Sequence, residues 1–355
     1  MSFAAMPIDD GRPLRIGLIA PPWLPVPPRA YGGTETVMDV LARGLAERGH
    51  SVVLFAATDS SCPVEIRSAG GPGPGVDVGG SAVEVHHALA AYRDLVDVDV
   101  IHDHTSMGPL IAWGERREHV VTTNHNPFSA PYGSVFATVD DVVAVVAISH
   151  HHAASALGVK IAKVIHHGLD PRSFPIGTGS GGHLAFLGRM SPSKGPQRAI
   201  EISKATGIPL VLAGKQHSGA EQQFFDAEIR PQLSREITYI GEVGFKDKVE
   251  LLGDAVALVN PIAWDEPFGM VMIESLACGT PVYAYARGAA PEIVAPGVTG
   301  FLGNSEDDLI KSLARLDEID RKSCRAAIEG HFSVTRMVDE HLELYRRVLA
   351  PKEGA

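Results

Sequence analysis

The chain has 355 residues, of which 45% are hydrophobic and 21% charged, and it carries a formal charge of -11. That length suits two domains with separate cores, the apolar content excludes a disordered chain, and the acidic balance argues against a nucleic-acid or anionic-membrane binder. Cys62, Cys278 and Cys324 are too scattered for a disulfide framework or a zinc site and read as buried, reduced thiols.

In chain order, the leading "MSFAAMPIDDGRPLR" has an acidic pair where a signal peptide would carry its apolar core. Its longest apolar runs, such as "VVAVVAI" at 142–148, have strand length, so the expectation is a cytoplasmic protein without an integral membrane segment. Then follow strand "LRIGLIA" (14–20), helix "TETVMDVLARGLAERG" (34–49) and strand "SVVLFAA" (51–57). A glycine-rich stretch at 68–80 reads as a mobile surface loop. Strands "VDVIH" (98–102), "VVTTNH" (120–125), "VVAVVAIS" (142–149) and "AKVIHHG" (162–168) complete a first series. After "GLDPRSFPIGTGSGG" (168–182), where periodicity disappears and a hinge is expected, a second series begins. It comprises "HLAFLG" (183–188), "IPLVLAG" (208–214), "EITYIG" (236–241), "AVALVNP" (255–261) and "PVYAYA" (281–286). Alternating strands and helices give an α/β chain of two doubly wound, Rossmann-like domains, 1–169 and 170–333, with a final helix in 334–355 packing back on the first.

In such sheets ligands sit beyond the carboxyl ends of the strands. "DVD" at 97–99 and the pair Asp140 and Asp141 precede their strands and fail that test as metal ligands. "YGGTE" follows the first strand; there Gly32 and Gly33, with Thr34 as the expected cap, open a helix that could receive an anion, or form a plain glycine-rich turn. His102, His104 and His125 lie at later strand ends, where structural roles for His102 and His104 stay open. His150, His151 and His152 read as mainly solvated. "LGRMSPSKG" (187–195) places Arg189 and Lys194 to reach one diphosphate, or to form a surface basic pair. In "EPFGMVMIESLACGTPV" (266–282), Pro267 and Gly269 open a helix whose first amides, from Phe268 through Gly269 and Met270 to Val271, face an anion or sugar oxygen. Glu266 and Glu274 are eight residues apart, two helical turns, and both could accept hydroxyl protons from a polyol.

"GRMSPSKG" together with "EPFGMVMIESLACGTPV", "IHHGLDPRSF", "PEIVAPGVTGFL" and "FSVTRMVDEHLELYRRVL" resembles the retaining family 4 glycosyltransferases of the GT-B fold. The resemblance covers most of the chain. It implies two domains facing each other across a cleft. Arg189 and Lys194 would hold the diphosphate of a nucleotide-sugar donor, Glu274 its ribose, Glu266 the transferred sugar, and the amides of Phe268–Val271 the sugar and phosphate. Gly32 and Gly33 would complete the phosphate site, and His125 would contact the sugar near the reacting carbon. The implied chemistry is a front-face, metal-independent hexose transfer with no cofactor beyond the donor. The helix 34–49 mixes acidic and basic residues and lacks a basic membrane-binding surface, so a soluble or saccharide acceptor is expected. The alternatives are an epimerase or phosphorylase of the same fold, or a non-catalytic sugar-nucleotide binder.

Overall fold

The computed structural model describes residues 11–30, 32–70, 79–129, 132–216 and 218–351. The start of the leading segment (1–10), Tyr31, and most of the glycine-rich stretch (71–78) lie outside the described residues. The chain divides into two compact units. The first comprises 1–28, 32–166 and 334–355, and the second 29–31 and 167–333.

Among the described residues of the first unit, seven strands form one parallel sheet. They are β1 (Arg15–Ile19), β2 (Ser51–Phe55), β3 (Glu65–Arg67), β4 (Val100–Asp103), β5 (Val120–Thr123), β6 (Ala144–Ala147) and β7 (Ile161–Val164). Their order is β3-β2-β1-β4-β5-β6-β7. The second unit has β8 (Leu184–Leu187), β9 (Leu210–Ala213), β10 (Ile237–Tyr239), β11 (Ala257–Asn260), β12 (Val282–Tyr285) and β13 (Gly300–Gly303), ordered β10-β9-β8-β11-β12-β13. Helices cover both faces of such sheets, which is why the inner strands are apolar runs without alternation. The order reverses between β1 and β4 in one sheet and between β8 and β11 in the other, where crevices form in doubly wound folds. The short strands β3 and β13 were not expected from the sequence, because a three-residue charged edge and a glycine-bounded tetrapeptide carry little apolar signal.

The helix Val334–Leu349 belongs to the first unit. It buries Met337, His341, Leu342, Leu344 and Tyr345, and Asp339 pairs with Arg48 at 2.7 Å. The stretch 168–182 is not a loose connector. Asp170 caps a short turn at Pro171–Ser173, Gly179 and Gly181 donate to the carbonyls of Gly253 and Asp254, and Leu169 donates to Phe332 O at 2.9 Å. Two arginines complete the attachment. Arg325 donates to Pro171 O and Phe174 O, while Arg321 donates to Gly177 O, Gly253 O, Ala255 O and Thr280 Oγ1. Glycine and proline hide this order from a periodicity reading, since partners such as Arg325 lie 154 residues away.

The three cysteines are buried and unpaired, and burial pushes each thiol up to about 12. No helix among the described residues is long and apolar enough to cross a membrane.

Candidate active site

In the second unit, the chain leaves β8 through Gly188 and Arg189 and re-enters a helix, Pro196–Thr206, capped by the left-handed Gly195 (φ 86°). A side chain at Gly195 would collide with the Pro261 carbonyl oxygen, so glycine lets this loop lie against the one that leaves β11. Ala263 N donates to Ser193 O at 3.0 Å and fastens the two loops. As a result Lys194 Nζ meets Glu266 Oε1 at 2.6 Å, with both side chains largely enclosed. Arg189 does not converge on the same group. It pairs with Glu221 at 3.0 Å, on the helix Gly219–Phe224 that follows β9.

The loop after β11 ends at Gly269, left-handed at φ 103°, which caps the helix Met270–Ala277. The helix therefore begins after Gly269 rather than at Pro267, and Glu266 lies in the loop instead of two turns below Glu274 on one helical face. The two carboxylates stand in separate ion pairs, since Glu274 Oε1 meets Lys248 Nζ at 2.5 Å, on the helix Phe245–Asp254 after β10. Phe268 is buried between His167 and Phe332, with ring centroids at 5.0 and 6.1 Å, and this packing holds the peptide segment that leads to Met270 and Val271. By helix geometry the first turn leaves amides without intrahelical partners. Three cationic side chains, each paired with a carboxylate, and a helix N-terminus thus lie at the carboxyl ends of β8, β9, β10 and β11. Such a set can hold an anion next to hydroxyl groups. Glu221 and Lys248 were absent from the sequence reading; their only local signal was a position just past a strand end.

In the first unit, Gly32 rather than Thr34 caps the helix Gly33–Glu47, and Thr36 Oγ1 donates to Gly32 O at 2.7 Å. His125 follows β5, with Nε2 2.9 Å from Nδ1 of His104 and the rings stacked. Burial, reinforced by nearby His152 and His341, pushes its imidazole down to about 3, so it is neutral near pH 7. His102 is a structural residue: it is fully buried, with Nδ1 2.6 Å from Tyr345 Oη and Nε2 2.8 Å from Thr123 Oγ1. His152 is buried, contrary to the solvated role expected of it. Ser149 caps its helix, and His152 Nε2 lies 2.9 Å from Asn126 O. The acidic residues at the other strand ends make structural bonds. Asp97 pairs with Arg15 and Arg67, Asp99 accepts from Arg15 N, Asp140 accepts from Lys160 N and Asp141 pairs with Arg116.

Comparison with known proteins places these features in a family. Residues 181–331 match the model described as "Glycosyl transferases group 1", and residues 31–173 match "Glycosyltransferase Family 4". The chain belongs to family 4 of the GT-B glycosyltransferases. This family 4 glycosyltransferase is 26% identical to the D-inositol 3-phosphate glycosyltransferase of Mycobacterium marinum, over 90% of its own length and 82% of that protein's. It is also 26% identical to AviGT4, a glycosyltransferase involved in avilamycin A biosynthesis, with a TM-score of 0.73 and coverage of 96% and 99% of the two chains. The fold is shared at 18% identity with sucrose-phosphate synthase from Thermosynechococcus elongatus, with a TM-score of 0.79 and coverage of 94% and 99%.

Proposed function

We propose that this glycosyltransferase moves a hexose from a nucleoside-diphosphate sugar to an acceptor hydroxyl with retention of anomeric configuration, and that the N-terminal unit serves the acceptor and the C-terminal unit the donor. The observation that carries the reading is the Lys194–Glu266 pair, which joins a cation and a hydroxyl acceptor at the reversal point of a Rossmann-like sheet. An ammonium has three N–H donors, so Lys194 can bridge Glu266 and a diphosphate oxygen at once. Arg189 and the amides from Phe268 to Val271 would share the diphosphate, and Glu274, steadied by Lys248, would accept from the ribose hydroxyls.

In this reading the bond from the anomeric carbon to the diphosphate oxygen breaks while a bond to the acceptor oxygen forms on the same face. The acceptor proton passes to an oxygen of the departing diphosphate. Charge building on that group is offset by Lys194, Arg189 and the helix N-terminus, an electrostatic contribution that requires no bound metal. Gly32 and Gly33 would add backbone donors to the phosphate. His125, neutral at working pH, would hydrogen-bond the sugar without adding positive charge beside a carbon that is itself becoming positive. A soluble acceptor fits the mixed charge of the helix Gly33–Glu47 and the D-inositol 3-phosphate in the name of the mycobacterial relative.

Calorimetric titration with UDP, GDP and ADP, then with the sugar form of whichever binds, tests the donor assignment. Release of nucleoside diphosphate only when acceptor is present, together with the anomeric configuration of the product by NMR, tests transfer with retention. Turnover without acceptor would favour an epimerase or phosphorylase.

A further inference from the structure

Two polar atoms in the second unit are unexplained by the contacts assigned so far. Trp264 lies in the loop after β11, two residues before Glu266. Its indole Nε1 is buried and meets no hydrogen-bond partner among the described residues, and the same is true of Glu266 Oε2. The two residues share one neighbourhood. Glu266 N donates to Trp264 O at 3.0 Å, and Lys194 Nζ, 2.6 Å from Glu266 Oε1, stands 5.3 Å from the indole ring centroid. Buried polar atoms are nearly always paired in folded proteins, so an unmatched donor and an unmatched acceptor two residues apart in one loop, both grouped around Lys194, point to a ligand. An indole can only donate and a carboxylate can only accept. A metal ion would satisfy the carboxylate alone and a phosphate the indole alone; a hydroxyl satisfies both, since its oxygen accepts while its proton is donated.

We propose that Trp264 is a specificity-determining residue for the transferred sugar, with Nε1 donating to a sugar hydroxyl whose own or neighbouring proton goes to Glu266 Oε2. This rests on the nucleotide-sugar reading above and adds to it a side chain that reads the sugar rather than the nucleotide. The ring is also placed to steady Lys194 through cation–π attraction. The two roles are separable, because phenylalanine keeps an aromatic face for Lys194 while removing the N–H with its pyrrole ring.

The test measures Kd by calorimetry for UDP, GDP and ADP and for UDP-glucose, GDP-mannose and ADP-glucose, on the wild type, Trp264→Phe and Trp264→His. For the nucleotide that binds the wild type, Trp264→Phe should leave diphosphate affinity within twofold and weaken the sugar form about tenfold, the effect of one buried hydrogen bond. Trp264→His, which restores a ring N–H, should recover part of that loss. An unchanged margin of sugar form over bare diphosphate in Trp264→Phe overturns the proposal, as does an equal loss for both, which would make the ring a support for Lys194 alone. If the wild type binds none of the diphosphates, the nucleotide-sugar reading itself fails and this assignment with it.

Discussion

Lys194 Nζ and Glu266 Oε1 lie 2.6 Å apart, although 72 residues separate them in sequence. Neighbouring strands β8 and β11 deliver them, and Gly195 and the Ser193–Ala263 hydrogen bond bring the two loops together. Lys194→Ala should therefore have two effects. Diphosphate affinity should fall about ten- to a hundredfold, from one charge-assisted contact, and the thermal midpoint should drop because Glu266 is left without its counter-charge. Arg189→Ala, which takes a counter-charge from the buried Glu221, should lose comparable affinity and lower the midpoint as well. Unchanged diphosphate binding in both variants, measured by calorimetry, would defeat the phosphate assignment.

His125→Ala separates chemistry from donor binding. Kcat for transfer should fall about a hundredfold or more, the scale seen when a group that stabilises the transition state is removed. Affinity for the bare diphosphate should stay within twofold. Loss of diphosphate binding in this variant would show that His125 acts on the phosphate instead of the sugar.

Arg321 supports the second unit from beneath. Its guanidinium gathers carbonyls from the ends of the helices Phe245–Asp254 and Met270–Ala277 and from the stretch before β8, where a cation also meets the negative ends of both helices. Arg321→Ala removes this donor from the carbonyls of Gly177 and Ala255 and its second hydrogen bond from those of Gly253 and Cys278, and should destabilise this unit by about 2–4 kcal/mol. Urea unfolding followed by hydrogen exchange of the second unit checks this; a shift confined to the first unit would contradict it.

The first unit should be the more acid-sensitive of the two. Burial lowers His87, His152 and His341 to about 4, His125 to about 3, and His102 well below its ordinary value. All five belong to this unit. In the unfolded chain histidines titrate near 6.5. Their stabilising contribution is thus present above that pH and is lost as pH falls toward 4, because the unfolded state binds protons first. Asp103, raised to about 7 by burial, works in the opposite direction: its contribution is present at low pH and lost as pH rises through 7. Glu84, also raised by burial, acts with Asp103, and five groups against two still give a net loss on acidification. Melting curves from pH 7 to 4 should show the first unit's transition moving down; a transition that holds steady or rises would refute this account.

The sequence and the structure agree wherever a short local pattern carries the information. Eleven strands are visible as apolar runs, since buried parallel strands need no alternation, and strand-end positions single out Arg189, Lys194, Glu266 and Glu274. What stays hidden depends on distant partners. Nothing near Glu274 announces Lys248, and nothing near Arg189 announces Glu221. Likewise the stretch 168–182 looks slack because its order is imposed by Arg321 and Arg325. The two-turn spacing of Glu266 and Glu274 misleads for a different reason: Gly269 in a left-handed conformation starts the helix between them.

Tyr345 lies in the interior of the first unit with its hydroxyl against His102, yet it is synthesised after the whole of the second unit. On the ribosome, the sheet that emerges first must therefore wait with an uncovered flank while the second unit is made. Only when the helix Val334–Leu349 arrives can that early-born sheet close, which makes maturation of the two halves interlocked instead of sequential.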